Sequence, residues 1–195
     1  MRLPDPVVDG RVLQRLGRAD RGFYCRLYGC ADTMRHVGAP LAAAEASAAF
    51  DRVMRLLERD SGCHGYWLLP ERAGGAGRGG MMALQGGVDP EDAEVGVLLE
   101  PAARRSGVAT AAITALADAV FTATGLRRLW TRHARGHGAA AALMRRIGFI
   151  EVSSGADGLC RWELGRDDWL ARVPVSSTHG QAAAQHEDGA RGRGG

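Results

Sequence analysis

A strand that stops at a proline and passes, through a short arginine- and glycine-bearing loop, into a long alanine-rich helix is the feature that most restricts this chain. Residues 94–100 are apolar at their centre, Val95-Gly96-Val97-Leu98-Leu99, and Pro101 ends the run. Arg104-Arg105-Ser106-Gly107-Val108-Ala109 follows, and residues 107–124 are mostly good helix formers. Ala112, Leu116 and Val120 recur at near-helical spacing, and Gly125 is placed to end the helix in a left-handed conformation. Such a junction is an anion site. The first N–H groups of a helix have no internal partner and carry the positive end of its dipole. Small side chains at Gly107 and Ala109 let a phosphate approach that backbone, and Arg104 and Arg105 add charged donors.

The rest of the chain supplies a matching frame. Residues 7–16 alternate as a first strand, 19–28 read as a helix, and 32–36 as a helical turn. A helix is expected from Pro40 to about Arg59, with Phe50, Val53, Met54 and Leu57 on one face. Strands are expected at 66–69 and 81–85, joined by a flexible glycine-rich connection over 71–80. That connection has no GK[ST] ending and no helix after it, which argues against a phosphate loop there. Residues 126–133 read as a strand, 139–147 as a short helix ahead of Gly148, and 149–153 and 159–164 as closing strands. Trp130 and Trp162 are expected in the core, and a last helical turn at 167–170 packs onto the domain. Residues 174–195 hold no apolar residue larger than Val175 and are expected to be a disordered tail, so the domain spans 5–173.

Bulk properties narrow the setting. The chain has 195 residues, enough for one domain with a full core. No apolar run approaches the ~20 residues of a membrane span, and the N-terminus has no secretory pattern; a cytoplasmic protein is expected. A net charge of +3 does not point to nucleic acid. Cys25, Cys30, Cys63 and Cys160 have no metal-like spacing and read as reduced thiols, and no metal site is expected. All 25 basic residues are arginine, so no side-chain amine is present for self-modification.

The junction resembles the acetyl-CoA signature of the GNAT acetyltransferases, [Q/R]-x-x-G-x-[G/A], through Arg104, Gly107 and Ala109. Glu94, Val95, Gly96, Leu99 and Pro101 match the family's preceding strand. Leu129-Trp130-Thr131, then Leu143-Met144-Arg145-Arg146-Ile147-Gly148-Phe149, match its second block in order and spacing. Gly10-Arg11-Val12-Leu13-Gln14-Arg15-Leu16, Ala19-Asp20 and Met34-Arg35-His36-Val37-Gly38 resemble the opening of the RimJ/RimL type, which acetylates ribosomal-protein N-termini.

The resemblance implies an α/β fold: a mixed, mostly antiparallel twisted sheet of six to seven strands with helices on both faces. It implies acetyl transfer from acetyl-CoA to a primary amine of a protein, peptide or small molecule. Backbone groups of Val97, Leu98 and Leu99 would pair with the pantetheine arm. Arg104, Arg105, Ser106, Gly107, Val108 and Ala109 would hold the pyrophosphate. It leaves a homodimer open and implies neither nucleic-acid nor membrane partners. Where the family carries Asn-x-x-Ser the chain has His137 and Ala140; where a tyrosine acid stands it has Met144; the early helix glutamate is Ala111. Glu94 and His137 are therefore the candidate bases, with His133 able to reach the same cleft. The missing Tyr and Ser also admit a degenerate domain that binds CoA as a sensor without catalysis.

Overall fold

The computed structural model describes residues 3–59, 64–154 and 158–172; the expected tail and Cys63 lie outside them. In chain order the elements are β1 (Val7–Val8), β2 (Arg11–Val12), α1 (Arg21–Gly29), α2 (Ala31–Met34), α3 (Ala43–Arg59), β3 (His64–Pro70), β4 (Arg78–Gly86) and β5 (Asp92–Leu99). Then come α4 (Val108–Ala123), β6 (Arg128–Ala134), α5 (Gly138–Ile147), β7 (Ile150–Ser154), β8 (Leu159–Gly165) and α6 (Arg166–Arg172). Six strands form one sheet in the order β3-β4-β5-β6-β8-β7. Every neighbouring pair is antiparallel except β5 with β6, which is parallel.

Period-two alternation distributes the side chains between two cores. From β3, Trp67 and Leu69 join Met82, Leu84, Val95 and Leu129 beneath α4, whose Leu116, Val120 and Phe121 are fully buried. Tyr66 and Leu68, on the other face, meet Met81 and Leu98 beneath α1 and α3. Phe50 and Met54 of α3 are buried in that second core, with Val53 and Leu57 packed against it, as their spacing predicted. Helices thus cover both faces of an α/β sheet.

Four local expectations change. The single first strand is a hairpin: Asp9 and Gly10 both have positive φ, 48° and 74°, as a two-residue type I′ turn requires. The Asp-Gly pair signals that turn, and Arg15 bridges onward to Trp67. The third helix begins at Ala43 instead of Pro40, where the Glu45 carboxylate accepts the Ala42 N–H at 2.9 Å. The glycine-rich connection is shorter than expected, because Gly79 and Gly80 are inside β4. A Cβ at Gly79 would lie 2.5 Å from Glu71 Cα, and one at Gly80 would lie 2.5 Å from the Leu98 carbonyl. Close backbone approach, not flexibility, selects those glycines. Finally, Gly125 does not cap α4. Thr124 does, in extended conformation, with its N–H and hydroxyl both donating to the Val120 carbonyl at 2.9 and 2.7 Å. The glycine cap appears instead on α5, where Gly148 has φ 103°.

Candidate active site

The parallel pair is short. Asp92, Ala93 and Glu94 face Arg128, Leu129 and Trp130, and there the pairing of β5 with β6 ends. Beyond it β5 stays with β4 as far as Leu99, while β6 stays with β8 as far as Ala134. The sheet therefore forks, and the β5 backbone past Glu94 has no ladder partner on its β6 side. Backbone N–H and C=O groups left in that way require other partners. An extended ligand carrying amides can supply them as an added strand.

A cleft of about 440 Å³ fills the fork and runs through the sheet. Ile113, Ala140, Leu143 and Met144 line it from the α4–α5 side; Tyr28, Val37, Met81 and Ala83 line it from the α1 side. Gly96 opens into it with nothing within 4 Å of a notional Cβ. Val97 and Leu98 line the wall; Leu99 continues the strand toward the loop.

That loop is the expected junction. A 3-10 turn over Pro101–Ala103 carries the chain from β5, and Gly107 is the N-cap of α4 with φ 82°. Glycine is selected there by the left-handed backbone, since a Cβ would meet no atom within 4 Å. Arg105 is also left-handed, at φ 63°. The Ser106 hydroxyl donates to the Ala103 carbonyl at 2.7 Å, and Val108, 1% exposed, anchors the loop in the core. The first intrahelical bond runs from Ala111 N–H to Gly107 C=O. The N–H groups of Ala109 and Thr110 precede it and have no helical acceptor. Arg104 is partly engaged, its Nη2 donating to the Asp32 carbonyl of α2 at 2.6 Å.

Glu94 and His137, read from distant segments, both line the cleft. Glu94 forms an ion pair with Arg132 of β6 at 3.5 Å. His137 caps α5 and stacks on His36, ring centroids 4.0 Å apart, with His133 edge-on at 6.1 Å. Burial, then His36, His133 and Arg104, push the His137 pKa from an ordinary 6.5 to about 4. At neutral pH its ring is an uncharged acceptor or donor. His133 Nδ1 faces the Ala134 carbonyl at 2.9 Å, which assigns its proton there, and its Nε2 is buried with no hydrogen-bond partner among the described residues. Tyr28 stacks on Tyr24 at 4.5 Å, and burial raises its hydroxyl to about 12.

Sequence reasoning missed Tyr28, His36 and Arg132, which reach the cleft only through packing of the α1–α3 segment and the fork. It also misplaced Trp130. That ring is half-buried on the face opposite α4, flanked by the guanidinium groups of Arg132 and Arg161 at 5.2 and 4.2 Å. Trp162 is buried as expected, with Arg145 over its ring at 5.1 Å. Among the described residues no group of three or more His, Cys, Asp or Glu could hold a metal ion, and no helix is long and apolar enough to cross a membrane.

A strand fork beside a helix N-terminus with a left-handed glycine cap suits an extended, amide-bearing, anionic ligand. The family model described as the acetyltransferase (GNAT) domain matches residues 11–150, and the chain belongs to that family. Acetyl-CoA is accordingly its acetyl donor. No curated protein matches the sequence. Among solved structures, the fold is similar to a spermidine N-acetyltransferase from Vibrio cholerae in complex with CoA and spermine, at TM-score 0.69 and 18% identity over 82% of this chain and 97% of that one. It is similar to the RimL ribosomal L7/L12 alpha-N-protein acetyltransferase in complex with coenzyme A, at TM-score 0.66 and 15% identity over 78% and 92%. An aminoglycoside acetyltransferase in complex with coenzyme A gives TM-score 0.68 and 14% identity over 82% and 97%.

Proposed function

We propose that this chain is an N-acetyltransferase in which a primary amine attacks acetyl-CoA directly in a ternary complex. The observation that carries this reading is the unpaired edge of β5, leading from the cleft to the N-terminus of α4. The fork fits an extended arm: backbone groups of Val97, Leu98 and Leu99 hold the pantetheine amides. The N–H groups of Arg105, Ser106, Gly107, Val108 and Ala109 hold the pyrophosphate, and Arg104 stays nearby while tied to Asp32. Bound there, acetyl-CoA supplies an activated thioester carbonyl and a thiolate leaving group.

The chain's own residues then position the amine and take its proton. Glu94 is the first candidate base, being the one carboxylate on the cleft wall among the described residues. His137 is the second, and its depressed pKa keeps it unprotonated at neutral pH. Water is thinned by the apolar wall of Met81, Leu143 and Met144. The opening segments similar to the RimJ/RimL type support a protein or peptide N-terminus as one acceptor class, beside small amines.

Gly107→Glu tests the reading. A side chain at φ 82° is strained, and its carboxylate would meet the pyrophosphate with like charge. Calorimetry should show no CoA binding in a folded Gly107→Glu protein; unchanged affinity removes the assignment.

A further inference from the structure

The cleft is nearly neutral, and its two opposite charges touch. Glu94 is its only carboxylate and Arg132 its only guanidinium among the described lining residues; the other ionisable groups there are His36, His133, His137 and Tyr28. Glu94 stands on β5 and Arg132 on β6, so their 3.5 Å ion pair spans the fork at its root. The side chains are 30% and 49% exposed, so a ligand can reach both. Arg132 is also steadied against the Trp130 ring at 5.2 Å, with Arg161 on that ring at 4.2 Å.

Charge pairing decides which amines suit such a site. A partly desolvated ammonium needs a counter-charge. A polyamine or aminoglycoside brings several ammonium groups, and this cleft offers one carboxylate, already paired. A simple amine that takes Glu94 strips Arg132 of its partner. An amine bearing its own carboxylate exchanges one ion pair for two: ammonium on Glu94, carboxylate on Arg132, whose guanidinium binds carboxylates well. Because the protein groups are adjacent, the ligand's two charges must be adjacent too.

We infer that the acceptor is a single amine carrying a carboxylate a few bonds away, as in a free α-amino acid or an N-terminal Asp or Glu. This rests on the amine-acetylation reading and specifies its substrate. In the transfer, nitrogen forms its bond to the acetyl carbon, the C–S bond breaks with its electron pair on sulfur, and the amine proton leaves toward Glu94.

The test uses the full chain and thiol release from acetyl-CoA. The acceptors are the common α-amino acids, their α-amides, dipeptide amides beginning with Asp, Glu or Ala, and spermidine. A carboxylated acceptor should exceed its uncharged counterpart by about tenfold or more in kcat/KM, roughly what a 1.4 kcal/mol ion-pair advantage gives. This would run against the larger unprotonated fraction of the less basic amide amine at neutral pH. Spermidine should stay at background. Free amino acids responding identifies a small-molecule acceptor; only Asp- or Glu-led peptides responding identifies a protein N-terminus. Arg132→Gln should lower the ratio of kcat/KM for the carboxylated acceptor to that for its amide about tenfold. Equal use of amides or spermidine, or an equal loss on both acceptors, overturns the inference while amine transfer stands. Thiol release with none of them, in protein that binds CoA by calorimetry, overturns the transfer reading and this one with it.

Discussion

His137 shows how a local contact sets a property that residue type alone does not. Its ring is held against His36 and beside His133 at the α5 N-cap, and burial with those neighbours lowers its pKa to about 4. Folding therefore weakens its hold on a proton. Between about pH 6.5 and 4 the unfolded chain binds the proton more tightly than the folded one, so stability must fall as the pH drops through that window. Above it the contribution is constant. His137→Asn, which removes the titrating ring, should flatten that part of a melting-temperature profile recorded from pH 7.5 to 4.5. An unchanged profile would show that His137 titrates normally. The same depression bears on chemistry: a base limited by His137 gives a rate that is flat from pH 6 to 8. A rising rate there reports deprotonation of the amine itself.

At the scale of elements, α6 is fixed by one aromatic anchor. Trp169, 6% exposed, packs in the larger core and its Nε1 donates to Asp118 Oδ1 on α4 at 2.8 Å. Trp169→Phe keeps most of the apolar contact and loses that bond, so a loss of about 1 kcal/mol is expected in denaturant unfolding. Trp169→Ala should cost about 3–5 kcal/mol. Long elements of this kind were legible from sequence: the face of α3 through Phe50 and Met54, the strand at Val95 to Leu99, and the helix after Gly107 each repeat a period several times. Short elements were not. The Asp9-Gly10 hairpin is two residues per strand, too brief for alternation to register, and only the turn chemistry marks it. Thr124 took over the cap from Gly125 because its hydroxyl and N–H share one carbonyl, a side-chain alternative that composition hides. Of the cleft, the contribution of one contiguous strand–loop–helix could be read. The Glu94–Arg132 pair and the His36–His137 stack could not, since each joins segments 38 or more residues apart through the sheet fork.

The whole molecule brings two binding paths to one opening, and that geometry predicts the kinetic order. The cleft is lined from both faces of the sheet, so the α4–α5 side can receive the thioester while the α1 side admits the amine. Holding both at once replaces a bimolecular encounter by a positioned one. A covalent acyl-enzyme is a poorer route here. Cys160 is 4% exposed in the core, and neither it nor Cys25 nor Cys30 lines the cleft. Burial of the first and a place outside the cleft lining for all three leave none of the described cysteines positioned to take the acetyl group. Double-reciprocal plots at varied acetyl-CoA and amine should therefore intersect, and intact mass after incubation with acetyl-CoA alone should show no added acetyl group. Parallel lines with an acetylated cysteine would reverse the mechanism. A chain ending at Val175 should behave identically in both assays and melt at the same temperature, because α6 already closes the core through Trp169; a fall of several degrees would place residues 176–195 in the fold. Glu94→Gln at saturating acetyl-CoA should lower kcat by about the 10²-fold typical of a positioned proton acceptor, with CoA affinity unchanged. The isosteric amide keeps the strand and the contact to Arg132 while removing the charge that draws the ammonium in and the site that takes its proton. If kcat holds and only KM for the amine rises, Glu94 binds the acceptor without accepting its proton, and the base is His137 or water.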